Sequence, residues 1–129
     1  MPRRVLVIED NASDRELVTA LLEGAHYEVQ TAEAGGLGLS LATADPPDII
    51  LLDLHLPDMD GYETCRLLRQ EPRLQEVPIV IVTASDDPAL NRHAYAAAAH
   101  ACILKPLREE ALLVTLEAAL AGRRREESS

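Results

Sequence analysis

The stretch Ile49-Ile50-Leu51-Leu52-Asp53 runs four bulky apolar residues straight into a carboxylate, and Asp58 and Asp60 follow in a turn marked by Pro57 and Gly61. A charge at the end of a buried segment is costly unless something uses it. Glu9 and Asp10 end a second apolar run, Thr83 a third, and Lys105 a fourth. Carboxylates crowded together repel, so at least one pKa rises unless a cation intervenes. An oxygen-only cluster with few protein ligands suits Mg²⁺, which keeps several waters. A metal, the Lys105 ammonium and the Thr83 hydroxyl around one carboxylate would stabilise a phosphoryl group in transfer. Asp53 then reads as a nucleophile that becomes an aspartyl phosphate.

That chemistry needs these residues at one place, and the pattern of elements supplies it. Apolar runs recur at 5–8, 27–31, 49–52, 78–82 and 101–104. The first, third and fourth are continuous Val/Ile/Leu runs, as in strands covered on both faces of a parallel sheet. Between them lie segments long enough for helices, so the order βαβαβαβαβα predicts an α/β fold: a doubly wound five-stranded parallel sheet, a flavodoxin-like sandwich. In such a sheet the carboxyl ends of all strands share one edge, where Glu9, Asp10, Asp53, Thr83 and Lys105 would meet. Ser13–Glu16 offers a capping box for the first helix, with Leu17, Ala20, Leu21 and Gly24 on one face. Tyr62, Cys65 and Leu68 form a stripe in the third helix. Leu107, Ala111, Val114 and Ala118 do so in the last, with Gly122 as its C-cap. Residues 34–44 carry three glycines, each costing a helix about 1 kcal/mol relative to Ala, yet the right-handed crossover places a helix there. The Gly36-Leu37-Gly38 fragment lacks the third glycine of a dinucleotide-binding turn, with Leu41 at that place.

Length and composition set bounds. A chain of 129 residues is one domain and buries about two thirds of its unfolded surface. It has no Phe or Trp, so Leu, Ile, Val and Ala must fill the core. A net charge of −10 argues against nucleic acid as a direct partner and for a divalent cation or a basic protein surface. Cys65 and Cys102 form no CxxC pair, and the N-terminal apolar run is too short for a signal peptide or a membrane span. A cytoplasmic protein is expected, with residues 1–122 as the domain and 123–129 as a short charged tail, expected to be disordered.

In order, "VLVIEDN", "PDIILLDLHLPDMDG", "PIVIVTAS" and "ILKPL" resemble the receiver domain of two-component response regulators, across residues 3–121. The resemblance implies that Asp53 takes phosphate from a histidine kinase or phosphotransfer protein. It implies Mg²⁺ held directly by Asp10 and Asp53 and through water by Glu9, with the backbone carbonyl of His55 as a further ligand. Thr83 and Lys105 would hold the phosphoryl oxygens, and Lys105-Pro106 matches the family's usually cis pair. Output would be a protein contact through the fourth helix, fifth strand and fifth helix, by a monomer or a phosphorylation-linked dimer whose downstream protein is unknown. The chain departs from the family at Cys102, where an aromatic ring is usual; this puts the threonine–aromatic switch in doubt and leaves Thr83 and the 84–88 loop to signal. A buried Cys102 reads mainly as core packing, with a redox role as the rival. His55 reads either as a residue that tunes dephosphorylation or as a solvated loop histidine. Ala98 stands where a glycine is usual, so the fourth helix is expected to cap one turn later.

Taken singly, Glu9 and Asp10 also read as acids opening a helix, and Lys105 as a snorkelling surface lysine. Their convergence separates the readings. Two alternatives of other kinds are a degenerate receiver acting as a scaffold and a Mg²⁺-dependent aspartyl-phosphate hydrolase, although His55 stands where such hydrolases carry a second acid.

Overall fold

The computed structural model describes residues 2–84 and 88–128, and of 123–128 the backbone alone. The elements are β1 (Arg4–Ile8), α1 (Ala12–Gly24), β2 (Glu28–Ala32), α2 (Gly35–Ala44), β3 (Ile49–Leu52), α3 (Gly61–Gln70), β4 (Ile79–Thr83), α4 (Leu90–Ala96), β5 (Ala101–Leu104) and α5 (Glu109–Ser128). All strand pairs are parallel, in the order β2-β1-β3-β4-β5. The expected doubly wound α/β sheet is what forms.

The continuous apolar runs serve both faces. Val5, Val7, Ile49, Leu51, Val80 and Val82 turn to the side of α1 and α5, where they meet Val18, Leu22, Leu112, Leu116 and Leu120. Leu6, Ile8, Ile50, Leu52 and Ile79 turn to the other side and pack with Ala42, Cys65, Leu68 and Leu74. Alternate residues of one strand thus fill two cores, which is why these strands show no polar alternation. The glycines of α2 also find their reason: a Cβ on Gly38 would overlap the side chain of Ile8. The helix gives up intrinsic propensity for close approach to the central strand.

Several local expectations are corrected. The cap of α1 is Asn11, whose Oδ1 accepts from Asp14 N at 2.9 Å, so the helix starts upstream of the Ser13 box. Its buried face is Val18 and Leu22, while Leu17 and Ala20 are exposed. Apolar residues occupy several faces of that helix, and the sheet selects those spaced i, i+4 nearest its floor. The same holds in α5, where Leu112, Leu116 and Leu120 are buried and Ala111, Val114 and Ala118 are exposed. Gly122 is no C-cap, because α5 continues through Ser128 on Arg and Glu residues that favour helix. That backbone takes in most of the expected tail; the side chains of 123–128, and Ser129 as a whole, lie outside the described residues.

Helix α4 ends without glycine and without an extra turn. Ala98 adopts φ 66°, its N–H donates to Tyr95 O at 2.9 Å, and Ala99 N donates to Ala94 O at 3.0 Å. This is a left-handed C-terminal turn built on alanine, whose Cβ costs about 1 kcal/mol in that region. Ala98 is exposed, so its methyl contributes no buried packing. Ala98→Gly is therefore expected to raise stability by about 1 kcal/mol and the melting temperature by about 4 °C, measured by thermal denaturation. A second expectation concerns Cys65, whose thiol is buried and donates to Ala97 O at 3.1 Å. Burial pushes it up to about 11, leaving about one thiolate in a thousand at pH 8. A thiol reagent should modify Cys65 only after denaturant is added, as peptide mapping would show.

Candidate functional site

The carboxyl ends of β1, β3, β4 and β5 form the site. Register puts Ile8 beside Leu52 and Thr83 beside Leu104, so the residues just beyond these ends start out as neighbours. Backbone bonds continue the alignment past the strands: Asp53 N donates to Ile8 O at 3.0 Å, and Lys105 N donates to Thr83 O at 2.9 Å. Glu9 N reaches Ala32 O at 2.9 Å. The Lys105-Pro106 peptide bond is cis, as the resemblance implies. Thr83 is fully buried at the end of β4.

Glu9, Asp10 and Asp53 each offer an oxygen within 4.8 Å of the others. Glu9 and Asp53 are almost fully buried, at 4 % and 5 % exposure, while Asp10 faces solvent. The Lys105 ammonium crosses to this group and donates to Glu9 Oε1 at 2.5 Å and Asp53 Oδ2 at 2.8 Å. It also donates to Asp14 Oδ2 at 2.7 Å. The five residues expected from sequence thus lie at one strand edge, and the structure adds Asp14 to them. Sequence reading placed Asp14 in a capping box, and only the fold brings it to Lys105, ninety-one positions away.

The surrounding loops are built to hold the carboxylates in place. His55 N donates to Asp53 Oδ1 at 3.0 Å, and Asn11 N to Glu9 Oε2 at 3.2 Å. Arg15 of α1 clasps the first loop from outside, donating to Glu9 O at 2.9 Å and Asp10 O at 3.2 Å. The loop after β3 folds back so closely that a Cβ on Gly61 would overlap Leu54 Cα and press on Asp53 O. Asp58 fastens the other flank: its two carboxylate oxygens accept from Gly35 N and Gly36 N, each at 2.8 Å. These bonds cap α2, whose own N-cap residue is Ala34 with no side-chain bond. The Gly36 and Gly35 amides also lower the Asp58 pKa. The sequence signal for this role was the bare "AGG" before a helix and a spare acid in the turn.

Electrostatics follow from burial. Desolvation pushes the Glu9 carboxyl up to about 7, against the Lys105 hydrogen bond and with the neighbouring Asp53 adding to the rise. Desolvation also acts on Asp53, but the His55 amide, Lys105 and Glu9 outweigh it and hold this carboxyl below its usual range. Burial disfavours the charged Lys105 ammonium, yet hydrogen bonds to Asp14, Asp53 and Glu9 hold it above its ordinary range. Of the pair, Glu9 is therefore the more readily protonated and Asp53 the more readily ionised. A carboxylate kept ionised, with an exposed acid beside it and an ammonium at 2.8 Å, can attack an electrophile and can share a hard cation.

Cys102 is half-buried and free, packed with Tyr62 and Ala99 against Leu54, Ile81, Leu90 and Ala94. Burial raises its thiol pKa, as suits packing better than redox chemistry. His55 is exposed. Of the 84–88 loop expected to signal with Thr83, residues 85–87 lie outside the described residues. No helix among the described residues is long and apolar enough to cross a membrane.

Known proteins share this fold. A family model described as the response regulator receiver domain matches residues 5–117. Protein PilH of Pseudomonas aeruginosa is 34% identical over 119 residues, 92% of this chain and 98% of that protein. A putative response regulator from Chloroflexus aurantiacus superimposes with TM-score 0.90 at 30% identity, covering 94% of this chain and 99% of that one. The receiver domain of a sensor histidine kinase from P. aeruginosa, solved with a magnesium ion coordinated in its active site cleft, gives TM-score 0.87 at 26% identity, covering 94% and 99%. With the fold, the acid cluster and the family match over most of its length in agreement, the chain belongs to the response regulator receiver domains of two-component signalling.

Proposed function

We propose that Asp53 is the phosphoacceptor of a phosphorylation-dependent switch, and that Glu9, Asp10 and Asp53, with the backbone carbonyl of His55, hold Mg²⁺ beside it. The observation that carries the reading is the Lys105 ammonium 2.8 Å from Asp53, at the rim of three carboxylates whose oxygens lie within 4.8 Å of one another. That donor set is all oxygen and partly open to solvent, which fits a cation that retains waters. Bound there, Mg²⁺ would neutralise charge developing on a phosphoryl group in transfer. Asp53 supplies the attacking oxygen, kept ionised by the His55 amide and Lys105. Lys105 stabilises a phosphoryl oxygen on one side, and Thr83, buried at the end of β4, supplies the hydroxyl on the other.

The donor on this reading is a phosphohistidine of a histidine kinase or phosphotransfer protein, in line with the sensor kinase whose own receiver domain this chain resembles. The working unit is residues 1–122, cytoplasmic, which assists its own phosphorylation and dephosphorylation. Added phosphate brings about two negative charges and shifts the domain between two states by its unequal contacts in each. The output is a contact with a downstream protein through α4, β5 and α5, where Tyr95, Leu104 and Val114 are exposed.

Incubation with Mg²⁺ and a small phosphodonor should add one slowly decaying phosphoryl group, read by intact mass, and Asp53→Ala should take none. Rapid turnover of donor without accumulation would mark a hydrolase, and no gain would mark a scaffold. The metal site adds a pH dependence. Because the Glu9 carboxyl is raised to about 7 in the fold, the metal-free protein binds a proton that the unfolded chain has already released between the ordinary value of 4.5 and about 7. Glu9 thus lowers metal-free stability as pH rises through that window, whereas Asp53, shifted down, acts oppositely at lower pH. Mg²⁺ competes with the Glu9 proton. The rise in melting temperature on adding Mg²⁺ should accordingly be larger at about pH 8 than at about pH 5.5, and Glu9→Gln should flatten the difference.

A further inference from the structure

Lys105 spends all three of its N–H donors on carboxylates: Glu9, Asp53 and Asp14. The first two belong to the acid cluster. Asp14 does not; it lies on the first turn of α1, with its side chain 37% exposed at the rim, while the Lys105 side chain is 14% exposed. Neighbouring Arg15 holds the backbone of Glu9 and Asp10, so α1 is fixed to the loop that carries the cluster and Asp14 is placed with it. Asp14 and Asp53 each lie within 2.8 Å of the same nitrogen, hence within two hydrogen-bond lengths of one another. An acid so placed does two things. It occupies a donor that a phosphoryl oxygen would otherwise use, and it adds a negative charge where an anionic donor must arrive.

We propose that Asp14 is a positioning residue which, acting through Lys105 and through its own charge, makes the site discriminate among phosphoryl donors by their net negative charge. The inference rests on the reading of Asp53 as phosphoacceptor. In each transfer an Asp53 oxygen forms a bond to phosphorus while the donor's bond to phosphorus breaks. From acetyl phosphate, acetate departs with the bonding pair. From phosphoramidate, whose nitrogen is already protonated, ammonia departs with it. Near neutral pH acetyl phosphate carries one more negative charge than phosphoramidate, so Asp14 opposes its approach more. A unit charge about 6 Å away, at an effective dielectric between bulk water and the protein surface, changes a rate by roughly three- to tenfold. Salt screens the part that acts through solvent.

The test is the initial rate of phosphorylation by each donor at fixed Mg²⁺, read by intact mass, for the wild-type chain, Asp14→Asn, Asp14→Ala and Asp14→Glu. Asp14→Asn and Asp14→Ala are expected to accelerate acetyl phosphate roughly three- to tenfold and phosphoramidate distinctly less. The ratio between donors should return toward wild type in Asp14→Glu, and added salt should shrink the effect of Asp14→Asn. Because the ratio is taken within one variant, a partly unfolded preparation leaves it unchanged. Equal acceleration of both donors, no change, or a slower reaction with acetyl phosphate would overturn the proposal. A wild-type chain that takes no phosphoryl group, or an Asp53→Ala chain that still takes one, would overturn the reading beneath it, and the role of Asp14 with it.

Discussion

The structure depends on one constraint: two carboxylates, Glu9 and Asp53, are held almost out of water with a single ammonium to answer them. Burial of a charge without partners is costly, and here desolvation is the largest influence on both acids and on Lys105. Lys105 crosses from the end of β5 and the loop amides add His55 N and Asn11 N, yet negative charge still exceeds positive once Asp10 and Asp14 are counted. A group of acids left in surplus is poor design for stability alone. It is the condition under which a dication binds tightly and a neighbouring carboxylate remains a nucleophile.

Everything around the acids serves to keep that arrangement from relaxing. The central strands β1, β3 and β4 are covered on both faces, so their ends cannot shift without disturbing two cores at once. The strand order places β1 and β3 side by side, which sets Glu9 next to Asp53 through the register Ile8 to Leu52. Beyond the strand ends, Arg15 ties the first loop to α1, Asp58 ties the second to α2, and Gly61 lets the chain pass over Asp53. Two of these three ties are charged side chains bonded to backbone, which fix direction as well as distance.

What the sequence reveals and what it hides divide along range and contrast. The strands were legible because runs such as Ile79-Val80-Ile81-Val82 have no other economical reading. The site was legible because parallel strands share an edge, a topological rule that needs no side-chain detail. Helix faces were less so. In α1 the apolar residues Leu17, Val18, Leu21 and Leu22 span more than one face, and the choice of Val18 and Leu22 is made by the floor of the sheet. Asp14 was hidden for a different reason: locally it is an ordinary first-turn acid, and its partner lies at the far end of the domain. Ala98 shows tertiary context prevailing over propensity, since Ala97 is buried and the chain must turn at that point to enter β5 whichever residue stands there.

Cys102 lies in a cluster that links the site's strand ends to α4. The cluster around it joins Leu54, next to Asp53, with Ile81 of β4 and with Leu90 and Ala94 of α4. The aromatic surface at this cluster comes from Tyr62 on α3, whose ring meets His93 of α4 edge-on at 5.6 Å. A ring at position 102 could swing through a large volume on the β5 side; a thiol rotating about one bond displaces far less. Coupling between sites requires an element with two discrete arrangements rather than a mere chain of contacts. With a cysteine on β5, the packing that joins the site to α4 is that of Leu90 and Ala94 against Leu54 and Ile81.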